Sequence, residues 1–256
     1  MGRIAILAVV VALAAPARAG DVVAPAPGGT VRVGVPAGPD PVAGFDRSLF
    51  AEVSREAGLG AVFEVMPPEA APAALDAGRI DVAAGPFPFD RAAGRLALGP
   101  VATDGDALLK RRGDGSLGLP AQAAGKVLGL LGPAPSLPRL RAEVAMLRAR
   151  AAAPPRAFAD PLRDLAAGRV AALVGELPDV AAAALARPDG FEVVGPAFGR
   201  TRPTVSLIRA DRPDLAARLD AALARMRADG RLAAVQRRWF GLADPPAAQP
   251  VATAKP

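Results

Sequence analysis

One unit occurs twice in this sequence, 90 residues apart, and it constrains the fold more than any other feature. Residues 75–88 read "LDAGRIDVAAGPFP" and residues 165–178 read "LAAGRVAALVGELP". Both share the frame Leu-x-Ala-Gly-Arg, then an apolar run, then Gly-x-x-Pro. A helix end closed by glycine, a buried strand and a sharp turn make one αβ step, and a repeated step predicts two similar lobes. In open α/β sheets ligands sit beyond the carboxyl ends of the strands. Those ends fall just after Gly85 and Gly175, so a ligand between the lobes meets "PFPFDR" on one side and "ELP" on the other.

The rest of the chain fits that frame. "TVRVGV", "AVFEVM" and "IDVAAG" read as strands, and "GFDRSLFAEVSREAGL" as a helix with Phe45, Leu49, Phe50 and Val53 on one face. After a connection near residues 97–106 come strands "ALLKRR" and "KVLGLL" and the helix "LPRLRAEVAMLRARA", with Leu140, Val144 and Leu147 inward. "DPLRDLAAG" carries an Asp cap, a proline at the first helical position and a closing glycine. Strands "RVAALVG" and "FEVVG" follow, then another connection and "TVSLIRA". Two helices end the pattern, one with Leu215, Leu219, Leu223 and Met226 on a face, the other with Leu232, Val235 and Trp239. Trp239 and Phe240 read as core residues, Asp46 as a helix cap, and "LLKRRGDG" as the solvated end of a strand. Strands alternating with helices make this an α/β protein with mainly parallel sheets flanked by helices.

Absences exclude whole classes of chemistry. With no cysteine and no histidine, thiol nucleophiles, Ser-His-Asp triads and the common zinc and haem sites are ruled out. No tyrosine is present either, so acid–base work falls to Asp, Glu, Lys or Arg. No cofactor is expected.

The first residues, "MGRIAILAVVVALAAPARAG", join a basic Arg3, an apolar stretch and small residues at Ala17 and Ala19. That is the pattern of a secretory signal peptide over 1–19, followed by a linker over 20–29. No lipid-attachable cysteine follows, so the expectation is a soluble periplasmic protein without a lipid anchor. Removing Arg3 and Arg18 lowers the formal charge from +6 to about +4, and no basic stripe is interleaved with aromatics, so nucleic acid is not an expected partner. Residues 243–256 are rich in Pro and Ala and read as a disordered tail.

Four stretches, "TVRVGV", "GFDRSLFAEVSREAGL", "LDAGRIDVAAGPFPFDR" and "LIRADRPDLAARLDAALARMRADGRLAAVQRRWFGL", resemble in order and spacing the bacterial family 3 extracellular solute-binding proteins, the periplasmic receptors of polar amino-acid ABC transporters. The resemblance spans roughly residues 30–242. It implies a type II periplasmic-binding-protein fold: lobe 1 over 30–102 and 204–242, hinge and lobe 2 over 103–203, closing on a ligand. It also implies a monomer that serves an inner-membrane ABC permease. By the same resemblance Arg91, closing "PFDR", takes the place of the arginine that grips the ligand's α-carboxylate, with Pro88 where the family has threonine. Glu176 takes the place of the acid for the α-amino group. A planar guanidinium matches a carboxylate bidentately, and a carboxylate suits an ammonium. Phe87 and Phe89 are the candidate stacking residues, and Arg95, one turn beyond Arg91, is its rival.

The chain also departs from the family. "PAGPDP" stands where an aromatic is usual, Ala84, Pro86 and Pro88 stand where hydroxyls are usual, and Gly132-Pro133 replaces Gly-Thr, removing an N–H donor. The expected function is a receptor, not an enzyme, for a small amino acid or related carboxylate. The alternatives are a degenerate periplasmic partner or sensor module, and an enzyme like cyclohexadienyl dehydratase with Glu176 as general acid.

Overall fold

The computed structural model describes residues 28–36, 41–92, 94–152 and 160–242, with Arg91 described by its backbone alone. The expected signal peptide, most of the linker and the expected tail lie outside the described residues.

Among the described residues, eight strands form one mixed sheet in the order β2-β1-β3-β8-β4-β7-β5-β6. They are β1 (Thr30–Pro36), β2 (Gly60–Met66), β3 (Val82–Pro88), β4 (Leu96–Arg111), β5 (Val127–Leu131), β6 (Arg150–Ala151), β7 (Ala172–Glu176) and β8 (Phe191–Ile208). The wings β2-β1-β3 and β6-β5-β7 are parallel, as expected from βαβ steps. The middle is antiparallel: β3 on β8, β8 on β4, and β4 on β7. The helices are α1 (Val42–Glu56), α2 (Ala71–Asp76), α3 (Leu137–Met146), α4 (Pro161–Ala166), α5 (Leu177–Ala186), α6 (Pro213–Ala228) and α7 (Arg231–Phe240). None of them is long and apolar enough to cross a membrane.

The repeated unit folds the same way twice. Helix α2 ends at Gly78 (φ +71°) and α4 at Gly168 (φ +73°). In each, the glycine N–H donates to the carbonyl three residues back, Leu75 or Leu165, at 3.0 Å. The following arginine N–H, of Arg79 or Arg169, donates to Ala74 or Asp164, also at 3.0 Å. Only a residue free to adopt the left-handed conformation closes a helix in this way without strain. The Asp160 carboxylate accepts from the Leu162 N–H at 3.0 Å, the cap its sequence predicts. Asp160→Ala should cost about 1 kcal/mol, seen as a denaturant midpoint lowered at unchanged slope.

Both expected connections are strand instead. Residues 97–106 belong to β4, and residues 197–203 belong to β8. β4 pairs with β8 from Leu96↔Ile208 to Arg111↔Phe191, and register shifts between Leu98 and Ala102 and between Asp104 and Asp106 absorb the glycines and Pro100. A partner strand 100 residues away overrides a local turn signal. These two strands carry the sheet from one wing into the other. Helix α3 is also shorter than its pattern. It stops at Met146, and Arg150–Ala151 pairs with β5 as β6.

The helix faces are as expected. Phe45, Leu49, Phe50 and Val53 of α1 pack with Leu215, Leu219, Leu223 and Met226 of α6 and with Leu232, Val235 and Phe240 of α7. Trp239 is partly buried, and its Nε1 donates to Ser48 Oγ at 2.9 Å. "LLKRRGDG" departs from expectation. Lys110 is buried, pairs with Glu192 at 3.1 Å and donates to the Asp114 carbonyl, while Arg111 donates to the Leu165 carbonyl. Both cations tie the end of β4 to its neighbours, while Arg111 stays partly exposed and Arg112 half-exposed, so the stretch is only partly solvated.

Candidate functional site

A cleft of about 270 Å³ opens where the wings meet. Its walls come from the start of α1 (Val42, Phe45, Asp46), the turn Gly85-Pro86 in β3, Val101 to Asp104 of β4, Glu176 to Pro178 at the β7–α5 junction, Thr204 of β8 and Phe240 of α7. Each wall has a local cause. Gly85 takes φ +145°, and a Cβ there would sit 3.1 Å from the Phe87 ring, so the backbone turns past the cleft only as glycine. Phe240 stacks tilted on Phe45 with centroids 4.9 Å apart, fixing α7 on α1 and closing one side with aromatic surface. The Thr204 hydroxyl donates to the Ala102 carbonyl at 3.0 Å, pinning the strand crossing.

The polar groups of the cleft are mostly carboxylates, and two of them have cationic partners. Asp104 pairs with Arg202 at 3.1 Å. Glu176, half-exposed, accepts from Arg139 of α3 at 3.0 Å. The same Arg139 donates to Asp106 at 2.6 Å, and that carboxylate is buried. One guanidinium therefore bridges two carboxylates, which raises its own pKa chiefly through the hydrogen bond to Asp106. Asp179, in the first turn of α5, has its pKa raised by burial and by the neighbouring Glu176 charge.

Asp46 differs from both. It is not the cap its sequence suggests, because α1 begins at Val42 with Pro41 in the cap position. It sits in the second turn on the apolar face, 2% exposed. Burial pushes its carboxyl up to about 8, and its Oδ2 has no hydrogen-bond partner among the described residues.

Among the sequence candidates whose side chains are described, Glu176 alone lines the cleft wall. The backbone of Arg91 lies in the short 3₁₀ turn Phe89–Ala92 that follows β3. Its side chain lies outside the described residues. Phe87 packs in a core cluster with Met66, Leu75, Ile80, Val205 and Leu207. Phe89 is half-exposed at the start of the 3₁₀ turn. The rival Arg95 is held bidentately by Asp76, Nε to Oδ1 at 2.9 Å and Nη2 to Oδ2 at 2.5 Å.

Sequence reasoning missed Asp46 and Arg139. The signal for Asp46 was present, since it falls between Phe45 and Leu49 on the helical face assigned to the core. Nothing marked Arg139, whose partners lie 33 and 37 residues away.

No curated protein sequence matches this one. Solved structures do match in fold. The L-cystine solute receptor of Neisseria gonorrhoeae, in its unliganded open conformation, aligns with a TM-score of 0.62 at 21% identity, over 84% of this chain and 94% of that one. A polar amino acid ABC uptake transporter substrate-binding protein from Streptococcus thermophilus gives 0.62 at 20% identity, over 84% and 87%. An ancestral cyclohexadienyl dehydratase gives 0.66 at 17% identity, over 83% and 93%. At these identities the likeness is one of fold. The family model for bacterial extracellular solute-binding proteins, family 3, matches residues 36–242, and with that span covering most of the sequence the chain belongs to this family.

Proposed function

We propose that this protein is a periplasmic receptor that binds a small amino acid or related carboxylate and delivers it to an inner-membrane ABC permease. One observation carries the reading: a cleft of about 270 Å³, lined by charged, hydroxyl and aromatic groups, lies where the strands β4 and β8 run from one wing into the other. The two named solute receptors of similar fold support it. Lobe 1, residues 30–102 with 204–242, and lobe 2, residues 103–203, close on the ligand by bending where Thr103 pairs with Pro203. Arg91, on the turn after β3, grips the carboxylate. An enzymatic role for Glu176 as general acid is disfavoured because that carboxylate is half-exposed and already accepts from Arg139.

A thermal-shift screen of residues 20–256 against amino acids and small carboxylates tests the reading. A ligand at a hundred times its Kd adds about 2.7 kcal/mol, or roughly 5–10 °C for a chain of this size. Arg91→Ala should abolish the shift while its ligand-free melting temperature stays within about 1–2 °C of wild type. A shift retained in Arg91→Ala would remove the clamp. Turnover of prephenate or arogenate would replace the receptor by an enzyme.

A further inference from the structure

One carboxyl oxygen on the cleft wall has no hydrogen-bond partner among the described residues. Asp46 is 2% exposed, and its Oδ2 meets neither solvent nor a donor among the described residues. The other carboxylates of the cleft are engaged, Asp104 by Arg202 and Glu176 by Arg139. Helix α1 does not use Asp46 as a cap, and its packing neighbours on that face are apolar. An unpaired buried carboxyl lowers stability, and a hydrophobic residue of similar size would pack there without that penalty. Its position on a wall shared with Glu176, Thr204 and the Phe45–Phe240 pair gives it a use that the fold alone does not.

We propose that Asp46, rather than Glu176, receives the cationic nitrogen of the ligand, an ammonium borne by an amino acid or amine small enough for the cleft. This rests on the receptor reading and sharpens it. Glu176 already has a cation from its own chain, which weakens its pull on a second one. Asp46 offers an acceptor in a water-poor setting where a charge-assisted hydrogen bond is strongest.

The proton balance gives this assignment a signature. Burial keeps the Asp46 carboxyl protonated at neutral pH. Pairing with an ammonium needs the carboxylate, so the Asp46 proton passes to buffer while the ligand keeps its own. Binding at pH 7 therefore releases close to one proton per ligand. The other charged groups on the cleft wall are Asp104, paired with Arg202, and Glu176, paired with Arg139.

The test uses residues 20–256 and a thermal-shift panel of the twenty amino acids, putrescine, and nitrogen-free partners such as propionate against alanine and glutarate against glutamate. Hits are then titrated calorimetrically at pH 7 in phosphate and in Tris, whose ionisation heats differ. The expected result is that only ammonium-bearing compounds bind, with close to one proton released. Asp46→Asn should weaken binding at least 30-fold and abolish the release, whereas Glu176→Gln should keep the release. A melt of each variant shows whether it is folded. Equal binding by nitrogen-free partners, no proton release, or full affinity in Asp46→Asn would overturn the Asp46 assignment and leave the receptor standing. No shift by any compound would overturn the receptor reading and this assignment with it.

Discussion

Ligand-free protein is expected to lose stability as pH rises from about 5 to 8, and Asp46→Asn to remove most of that slope. The folded Asp46 carboxyl titrates at about 8, against about 3.9 in an unfolded chain. Between those values the native state holds a proton that the unfolded state has lost, so stability falls with rising pH. Each unit of the window contributes about 1.4 kcal/mol, so pH 5 to 7 should cost roughly 2–3 kcal/mol, or about 4–12 °C in Tm. Above pH 8 the loss is complete. The chain has no histidine, so the usual side chain titrating in this window is absent. Asp179, also raised, adds a slope of the same sign. Asp81 acts in a different range. Burial pushes its pKa up, but hydrogen bonds from the Arg32 guanidinium and backbone outweigh it and leave the pKa below the ordinary carboxylate value. Its contribution is present above about pH 4 and is lost below that. Melting curves of wild type and Asp46→Asn at pH 5, 6, 7 and 8 decide the matter, and parallel slopes in the two proteins would reject it.

Arg139→Met should cost about 3 kcal/mol although the arginine is partly exposed. Asp106 is buried, with one oxygen lacking a partner among the described residues and the other held by Arg139 at 2.6 Å. Removing the guanidinium leaves a buried carboxylate with no cation, a change that costs about 3–5 kcal/mol for buried pairs. The exposure of Arg139 argues for the low end. Glu176 loses its partner too, but that half-exposed contact is worth less. Asp106→Asn combined with Arg139→Met should recover most of the loss. Denaturant melts of the two single variants and the double variant give the coupling, and additivity would show that Asp106 does not depend on Arg139.

What the sequence made legible follows the range of the forces involved. The faces of α1, α6 and α7 were readable because helical burial repeats within one or two turns. The αβ step was readable twice, down to the glycines that close α2 and α4. The crossing strands were not. Gly99, Pro100 and Gly105 give β4 the local signature of a turn, and the residues that hold it extended belong to β8, about 100 positions later. The site follows the same division. Glu176 was found through its place after the second repeat, whereas Arg139 enters through a contact between α3 and β4 that no spacing announces. Asp46 was visible but misread, because an acid near a helix start is far more often a cap than a buried group.

Sheet order also sets an order of events in time. The β2-β1-β3 wing is finished by the last part of the chain: β3 pairs with the end of β8, and α1 is covered by α6 and α7. Ribosomes add about 5–20 residues per second. The apolar face of α1 therefore leaves the ribosome on the order of ten to forty seconds before Phe240, the ring that stacks on Phe45. Throughout that interval the first wing cannot complete its core, and a nascent chain is left open to whatever handles unfolded polypeptide. Its folding is timed by the arrival of α7.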